Sequence, residues 1–115
     1  MKKRVYISGP ITGIANENRD EFSRMASLLH SLGHEPVNPH DVLKFDINLS
    51  WSDYMKSDIK ALMDCDAYVL LDGWGDSRGA RIEKRLADDL GIPNITASVI
   101  WDVEADLKRI AGADI

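Results

Sequence analysis

One carboxylate, Glu83, stands where the surrounding sequence pattern predicts an apolar side chain. In the segment from Arg78 to Gly91, Glu83 is three residues from Ala80 and four from Ala87, so it shares their helical face. An apolar helical face packs against the rest of the fold. Because a buried carboxylate is costly without compensation, Glu83 must have either a partner or a chemical role.

A second carboxylate, Asp58, shows the same anomaly in the preceding predicted helix. It is four residues from both Tyr54 and Leu62, on the apolar side. A hydrogen bond that caps a loop, or an ion pair with an arginine such as Arg78 or Arg81, would explain either carboxylate without any reaction. Two carboxylates directed at one crevice instead favour a site for acid, base or nucleophilic chemistry.

The stretch DGWGDSRG (72–79) leads into the helix of Glu83 and suits an anion or a sugar hydroxyl. Gly73, Gly75 and Gly79 permit a tight turn, and the helix start offers free N–H groups. Ser77 adds a hydroxyl donor. The glycine spacing is neither the dinucleotide fingerprint nor a P-loop, and an ordinary strand-to-helix turn also accounts for it.

Two aromatic residues near these groups have open roles. Trp74, at the tip of the loop, either stacks on a ligand ring or packs locally. Tyr6 alternates with Val5 and Ile7 along a predicted strand, so it faces the opposite side from them. Its hydroxyl lies near the crevice or its ring lies in the core.

Other chemistry is disfavoured by the residues present. Cys65 lies between Asp64 and Asp66, whose charge disfavours a thiolate nucleophile. The three histidines are His30, His34 and His40, and their spacing is not that of metal ligands. We expect them in loops or at the surface. We therefore expect no metal and no cofactor. A phospho-receiver domain is set aside because it needs an acidic pair after the first strand, where Gly9 and Pro10 stand.

The elements that would position these groups alternate between strand and helix. We predict strands in RVYIS (4–8), HEPVNP (34–39), DAYVLLD (66–72) and NITASVIW (94–101). We predict four helices. The first runs from Asn18 to Gly33, with Asn18 and Glu21 at capping-box spacing, and the second runs from Ser50 or Ser52 to Met63. The third covers 79–90, and the fourth runs from Asp102 to about Ile110.

This alternation predicts one α/β domain over residues 1–115, a flavodoxin/Rossmann-like three-layer sandwich with a parallel sheet of four or five strands. Ligands of such sheets bind outside the carboxyl ends of the strands. Three loops are expected to converge there: GPITG after the first strand, NPHD after the second and GWGDSRG after the third.

The overall composition narrows the class of partner. The chain has 115 residues, a net charge of −5 and a pI of about 5.0, which argues against a nucleic acid polymer as ligand. The start MKKRVYISGP is not expected to be a signal peptide, and no apolar run reaches membrane-spanning length. A single cysteine fits a reducing, cytoplasmic location.

These motifs together resemble the nucleoside 2-deoxyribosyltransferase superfamily, and most closely a small branch common in bacteriophage and bacterial genomes. The resemblance covers residue 4 to about residue 93. It rests on VYISGPITG, DYMKSDIKALMDCDAYVLLDGW and SRGARIEKRLADDLGIP. It implies a small-molecule nucleoside or nucleotide substrate, and a homodimer or larger assembly in which neighbouring chains complete the pocket.

The resemblance also implies roles for individual residues. Glu83 matches the nucleophile that attacks the anomeric carbon, and Asp58 matches the carboxylate near the sugar and base. Tyr6 matches an aromatic residue at the sugar. The first substrate loop is matched by Gly9, Pro10, Ile11 and Gly13, and the position of a 5′-phosphate is matched by Ser77 and Gly79.

We therefore expect cleavage or transfer of an N-glycosidic bond in a nucleoside or nucleoside 5′-monophosphate. The charged neighbours of Glu83 leave an alternative, a protein that binds a nucleotide or nucleotide signal without cleaving it, and a subunit with a vestigial pocket is a third possibility. The sequence departs from the family pattern at two places. Arg81 and Lys84 flank the Glu83 position, and the loop carries an extra Trp-Gly-Asp around Trp74. The base, the type of ribose and the acceptor are not specified by the sequence.

Overall fold

The computed structural model of the chain describes residues 2–43 and 46–112. Its strands and helices in chain order are β1 (Arg4–Ser8), α1 (Arg19–Ser31), β2 (Glu35–Val37), α2 (Pro39–Val42), α3 (Trp51–Met63), β3 (Ala67–Leu70), α4 (Arg78–Asp89) and α5 (Thr96–Gly112). Short 3-10 turns precede α1 and α4. In these residues, none of the helices combines the length and apolar character needed to cross a bilayer.

Within the described residues the sheet has three parallel strands in the order β2-β1-β3, so β1 is central. Tyr6 of β1 is paired with Val37 of β2 and with Tyr68 of β3. The α/β class and the parallel sheet predicted from the sequence are confirmed. Short parallel strands joined through helices bring their carboxyl ends to the same edge of the sheet.

The predicted fourth strand, NITASVIW, is wrong. Asn94 makes only an isolated parallel bridge to Tyr68, and α5 begins at Thr96. The Asn94 side chain accepts hydrogen bonds from the backbone N–H and the hydroxyl of Thr96, at 3.0 and 2.6 Å, which start the helix. The Thr96 Oγ1 also accepts a bond from the Leu70 N–H, at the edge of β3.

The predicted helix start at Asp102 is wrong, whereas the starts at Asn18 and Ser50 are confirmed in position, although the capping box expected at Asn18 does not form. Asp102 lies inside α5 rather than at its start. Asn18 has a left-handed backbone conformation and donates its side-chain N–H to the Pro10 carbonyl instead of capping α1. Ser50 does cap α3, in a capping box with Asp53.

The core lies on both faces of the sheet, because alternate residues of β1 point to opposite sides. Val5 and Ile7 join a buried cluster that includes Phe22 and Leu29 of α1 and Val99 of α5. On the other face, a second cluster contains Tyr6, Leu62, Tyr68, Leu70 and Ala87. The helices therefore form layers on both sides, and Tyr6 faces the side of α3 and α4.

Candidate active site

The Glu83 carboxylate is held by two hydroxyl groups of the central strand. Glu83 lies on the inner face of α4 and is 5% exposed. The Tyr6 hydroxyl donates a 2.5 Å hydrogen bond to Oε2, and the Ser8 hydroxyl donates a 2.7 Å hydrogen bond to Oε1. Each carboxylate oxygen therefore has its own donor. The helix that carries Glu83 is positioned by Ser77, which accepts the Ala80 N–H as N-cap.

Opposing effects act on the protonation of Glu83. Burial raises its pKa to about 7, while the hydrogen bonds from Tyr6 and Ser8 favour the ionised form and lower it. The pKa of the Tyr6 phenol is raised well above its usual value, first by burial and then by the negative charges of Glu83 and Asp58. Tyr6 is therefore a donor throughout the physiological range.

The second carboxyl group, Asp58, lies close enough to Glu83 for the two charges to interact. It is 9% exposed on the inner face of α3. Burial raises the pKa of Asp58 to about 7, and the negative charge of Glu83 acts in the same direction. Two carboxyl groups that titrate near neutrality at one cavity are typical of an acid and base pair.

The ion pairs that would have explained these carboxylates without chemistry do not form in the described residues. The Arg78 guanidinium lies over the Trp51 ring, 4.6 Å from its centroid. Arg81 donates instead to the Gly75 carbonyl, at 2.9 Å. The salt bridges that do form among the described residues involve neither Asp58 nor Glu83. The alternative of a structural ion pair is therefore wrong for Asp58 and Glu83.

Both carboxyl groups line a cavity of about 1110 Å³ at the carboxyl ends of the strands. The predicted convergence of the three loops is confirmed, since Gly9–Thr12, Pro39–His40 and residues 76–79 all line it. Because Asp58 and Glu83 both line this cavity, a molecule bound in it can contact both groups. A cavity of this size can enclose a small organic molecule.

The predicted site residues are placed as follows. Those that line the cavity are Asp58, Glu83, Gly9, Pro10, Ile11, Ser77 and Gly79. Tyr6 is fully buried and reaches the site through its bond to Glu83. Gly13 is outside the cavity lining, in a left-handed turn. Trp74 lies at a separate, smaller cavity, where Lys84 is 5.6 Å above its ring.

Several residues of the cavity wall had no role at the site assigned from the sequence, although Arg78 and His40 belong to loops that were predicted to converge there. The cavity wall also includes Trp51, Tyr54, Arg19, Arg78 and His40. Ser8 could have been found, because it is two residues from Tyr6 on one strand and so shares its face.

The expectation of His40 in a surface or loop position is wrong. His40 is half-buried in α2, with Nε2 2.9 Å from the Glu17 carbonyl oxygen and its ring 4.9 Å from that of Phe22. Burial lowers the pKa of His40, and the positive charge of Arg19 lowers it further. A neutral imidazole at the cavity wall can take part in hydrogen bonding without adding charge.

The protonation of Cys65 agrees with the exclusion of a cysteine nucleophile. Burial raises the pKa of the Cys65 thiol to about 11, and the charges of Asp66 and Asp64 also raise it. In the part of the chain that the structure describes, no group of three or more His, Cys, Asp or Glu residues is arranged to hold a metal ion.

Comparison with known families identifies the chain. Residues 3–96 match the family described as a domain of unknown function, DUF4406. The chain belongs to the DUF4406 family. No curated protein matches it closely enough in sequence for a further comparison.

Solved structures that share the fold of this DUF4406 protein include two enzymes. A 2-deoxyribosyltransferase from Bacillus psychrosaccharolyticus superposes with a TM-score of 0.61 at 21% identity, over 81% of this chain and 73% of the other. The CMP N-glycosidase BcmB from Clostridium botulinum gives a TM-score of 0.56 at 22% identity, over 80% and 66%. The DUF4406 chain therefore shares the fold of these two enzymes, in agreement with the fold that the motif resemblance implied.

Proposed function

We propose that this protein cleaves or transfers the N-glycosidic bond of a nucleoside or nucleoside 5′-monophosphate, with Glu83 as the nucleophile. The observation that carries the proposal is the pair of buried carboxyl groups, Glu83 and Asp58, at the wall of one cavity. The fold supports it, because solved structures similar to it include an N-glycosidase and a deoxyribosyltransferase.

The environments of the two carboxyl groups favour different protonation states. Glu83 accepts hydrogen bonds at both oxygens, which stabilises its carboxylate form. Among the described residues no protein group donates a hydrogen bond to Asp58, and the charge of Glu83 favours its neutral form. We therefore assign the ionised, nucleophilic role to Glu83 and the protonated, acidic role to Asp58.

The reaction follows from these two roles. An oxygen of Glu83 bonds to C1′ of the sugar as the C1′–N bond breaks, and the bonding electrons leave with the base. The transition state resembles an oxocarbenium ion, which the adjacent carboxylate stabilises. Asp58 donates its proton to the departing base. The resulting ribosyl ester of Glu83 is released by water or by a second base, with Asp58 as the general base.

Features of the cavity support a monophosphate more than a polyphosphate. Ser77, Gly79 and the Arg78 side chain lie at one part of the wall, at the start of α4, where an anion is favoured. The same cavity also includes Asp72 and Asp76, whose negative charges oppose a longer phosphate chain. A free nucleoside is accommodated without the phosphate contacts.

A non-catalytic binding protein is the other candidate that the sequence left open. The charged neighbours of Glu83 were the reason for it, and the structure places both away from the cavity lining. Arg81 binds the Gly75 carbonyl, and Lys84 pairs with Asp88 at 2.6 Å. Assembly as a homodimer and a cytoplasmic location belong to the proposal as predictions of the resemblance and the composition.

Chromatographic detection of released base would test this function. Purified protein is incubated with each common ribo- and deoxyribonucleoside and its 5′-monophosphate, with and without a second free base as acceptor. We expect one group of substrates to release base, and Glu83→Gln and Asp58→Asn to abolish or strongly reduce the release. The control is Glu104→Gln, which removes a carboxylate exposed on α5 and is expected to keep full activity.

Melting temperatures of the same proteins, measured with and without each compound, separate catalysis from binding. A ligand that raises the melting temperature of both the wild type and Glu83→Gln, with no base released by either protein, would indicate a binding protein and exclude the nucleophilic role of Glu83. New nucleoside formed only in the presence of an acceptor base would distinguish transfer from hydrolysis.

A further inference from the structure

Ser8 holds the Glu83 carboxylate from a fixed position at the end of the central strand. It is 1% exposed, and its carbonyl accepts the Leu71 N–H at 2.9 Å. The next residue, Gly9, packs so closely on β3 that an added Cβ would lie 2.7 Å from the Leu71 Cβ. Both contacts involve Leu71, so they fix the backbone of Ser8 against β3, and the buried Ser8 hydroxyl is held at Glu83 by its own hydrogen bond.

The two hydroxyl groups of β1 donate hydrogen bonds to different oxygens of the Glu83 carboxylate. Tyr6 donates to Oε2 and Ser8 donates to Oε1. With a single donor, the carboxylate could turn about its last side-chain bond and exchange its oxygens. With one donor on each oxygen, such a turn breaks both hydrogen bonds, so the plane of the carboxylate is fixed relative to the cavity.

We propose that Ser8 is a positioning residue of the nucleophile, whose hydroxyl fixes the carboxylate plane of Glu83 and keeps that group ionised for attack. The inference rests on the function proposed above for Glu83. It adds a second donor on β1 with a role distinct from that of Tyr6, since each hydroxyl serves a different oxygen.

The chemistry of the carboxylate explains why two donors favour its ionised form. An ionised carboxylate only accepts hydrogen bonds, so both hydroxyl protons can be directed at it. A protonated Glu83 would carry its own donor hydrogen, and one of the two hydroxyl groups would have to reorient. The bond from Ser8 accordingly lowers the pKa of Glu83, against the larger effect of burial.

The arrangement also has a consequence for the covalent intermediate. When one oxygen of Glu83 bonds to C1′, that oxygen loses negative charge and becomes a weak acceptor. The other oxygen becomes the ester carbonyl and keeps its donor. Whichever oxygen attacks, one β1 hydroxyl remains bonded to the ester and holds it in place for the second step.

Nuclear magnetic resonance provides a test that does not depend on turnover. The side-chain carboxyl carbons of glutamate are labelled with ¹³C, the Glu83 signal is assigned with Glu83→Gln, and its titration midpoint is measured. The other titratable groups that face Glu83 are Tyr6 on β1 and Asp58 on α3. They are unchanged in every variant of the series.

We expect Ser8→Ala to raise the Glu83 midpoint by about one pH unit, a roughly tenfold change in proton affinity. Ser8→Thr, which keeps the hydroxyl, is expected to restore the wild-type midpoint, and Ser98→Ala, at an exposed position on α5, to leave it unchanged. A folded Ser8→Ala protein with the wild-type midpoint would overturn the proposal. If Ser8→Ala does not fold, Ser8→Cys carries the test, because its weaker donor should raise the midpoint partway and an unchanged midpoint would overturn the proposal.

The activity assay then separates the two proposals. The acid limb of the pH profile of kcat/KM should move to higher pH in Ser8→Ala, and return in Ser8→Thr. Loss of activity at all pH values to the same degree would indicate a purely structural role and overturn the positioning role. If the wild type releases no base, the glycosidase function fails, while the titration of Glu83 still decides whether Ser8 controls the carboxylate.

Discussion

The Tyr6 hydroxyl lies 2.5 Å from Oε2 of Glu83 and joins the central strand to helix α4 at the wall of the cavity. This contact depends on the alternation of β1, which directs Tyr6 away from the cluster of Val5 and Ile7. It also depends on the three-residue spacing between Ala80 and Glu83 on α4. The site is therefore built from the same periodicities that build the core.

The dependence of activity on pH should be bell-shaped, with its maximum near neutrality. Below about pH 7 Glu83 becomes protonated and loses its nucleophilic form, and above about pH 7 Asp58 loses the proton that it gives to the base. Because the two groups interact, the apparent pKa values belong to the pair. Initial rates from about pH 5 to about pH 9 would measure the profile. A rate that rises steadily to the alkaline end would contradict the acidic role of Asp58.

Glu83→Gln should gain stability relative to the wild type as the pH rises. Burial raises the folded-state pKa of Glu83 from 4.5 to about 7, so its contribution to stability is full below about pH 4.5 and lost as the pH rises through about 7. The amide introduced by Glu83→Gln does not ionise, so the variant does not lose stability in this way as the pH rises. Between about pH 5 and pH 8 we expect the difference in free energy of unfolding to move by about 2 kcal/mol in favour of the variant.

Denaturant unfolding at both pH values would measure this change. The matched control is Glu104→Gln, at an exposed position on α5, for which no comparable dependence on pH is expected. Equal differences for Glu83→Gln at the two pH values would show that the carboxyl group of Glu83 is not perturbed by burial.

The sequence allowed the main parts of the site to be predicted because the two carboxylates interrupt strongly periodic helices. Asp58 and Glu83 are both on inner faces, as their spacing indicated. The approach of Arg19 to the cavity could not be predicted. It depends on a left-handed turn at Asn16–Asn18, a conformation that few residues adopt and that local propensity does not reveal.

The wrong prediction of a strand at NITASVIW (94–101) has a different physical cause. Its β-branched residues favour a strand locally, but the side chains of Asn94 and Thr96 bind each other, and Thr96 also binds the Leu70 N–H. The segment thus ends the sheet and begins α5. The local bond from Thr96 to Asn94 and the distant contact of Thr96 with Leu70 together override the intrinsic strand preference.

Gly9→Ala should destabilise the protein and disturb the end of β1. The new Cβ would lie 2.7 Å from the Leu71 Cβ and 2.9 Å from its Cδ1, so β1 and β3 would have to separate. Overpacking of this kind costs about 1–3 kcal/mol, and equilibrium unfolding in urea would measure it. Gly75→Ala is the control, since nothing lies within 4 Å of its added Cβ. Equal stability of the two variants would show that the contact between Gly9 and Leu71 is not tight.

Ligand binding should be reported by Trp51 and not by the other two tryptophans. Trp51 lines the cavity beneath the Arg78 guanidinium, whereas Trp74 lies at the second cavity and Trp101 is 69% exposed on α5. A bound ring or phosphate that displaces Arg78 would change the environment of the Trp51 indole. Titration of each nucleoside 5′-monophosphate into the Glu83→Gln protein, where turnover is prevented, should therefore alter its emission.

Single replacements assign this fluorescence signal to its source. Trp51→Phe should abolish the change in emission, while Trp74→Phe and Trp101→Phe should retain it. A change that survives Trp51→Phe but disappears in Trp74→Phe would instead mean that the loop around Trp74 moves onto the ligand. That result would restore to Trp74 the stacking role suggested by its place at the tip of the glycine-rich loop.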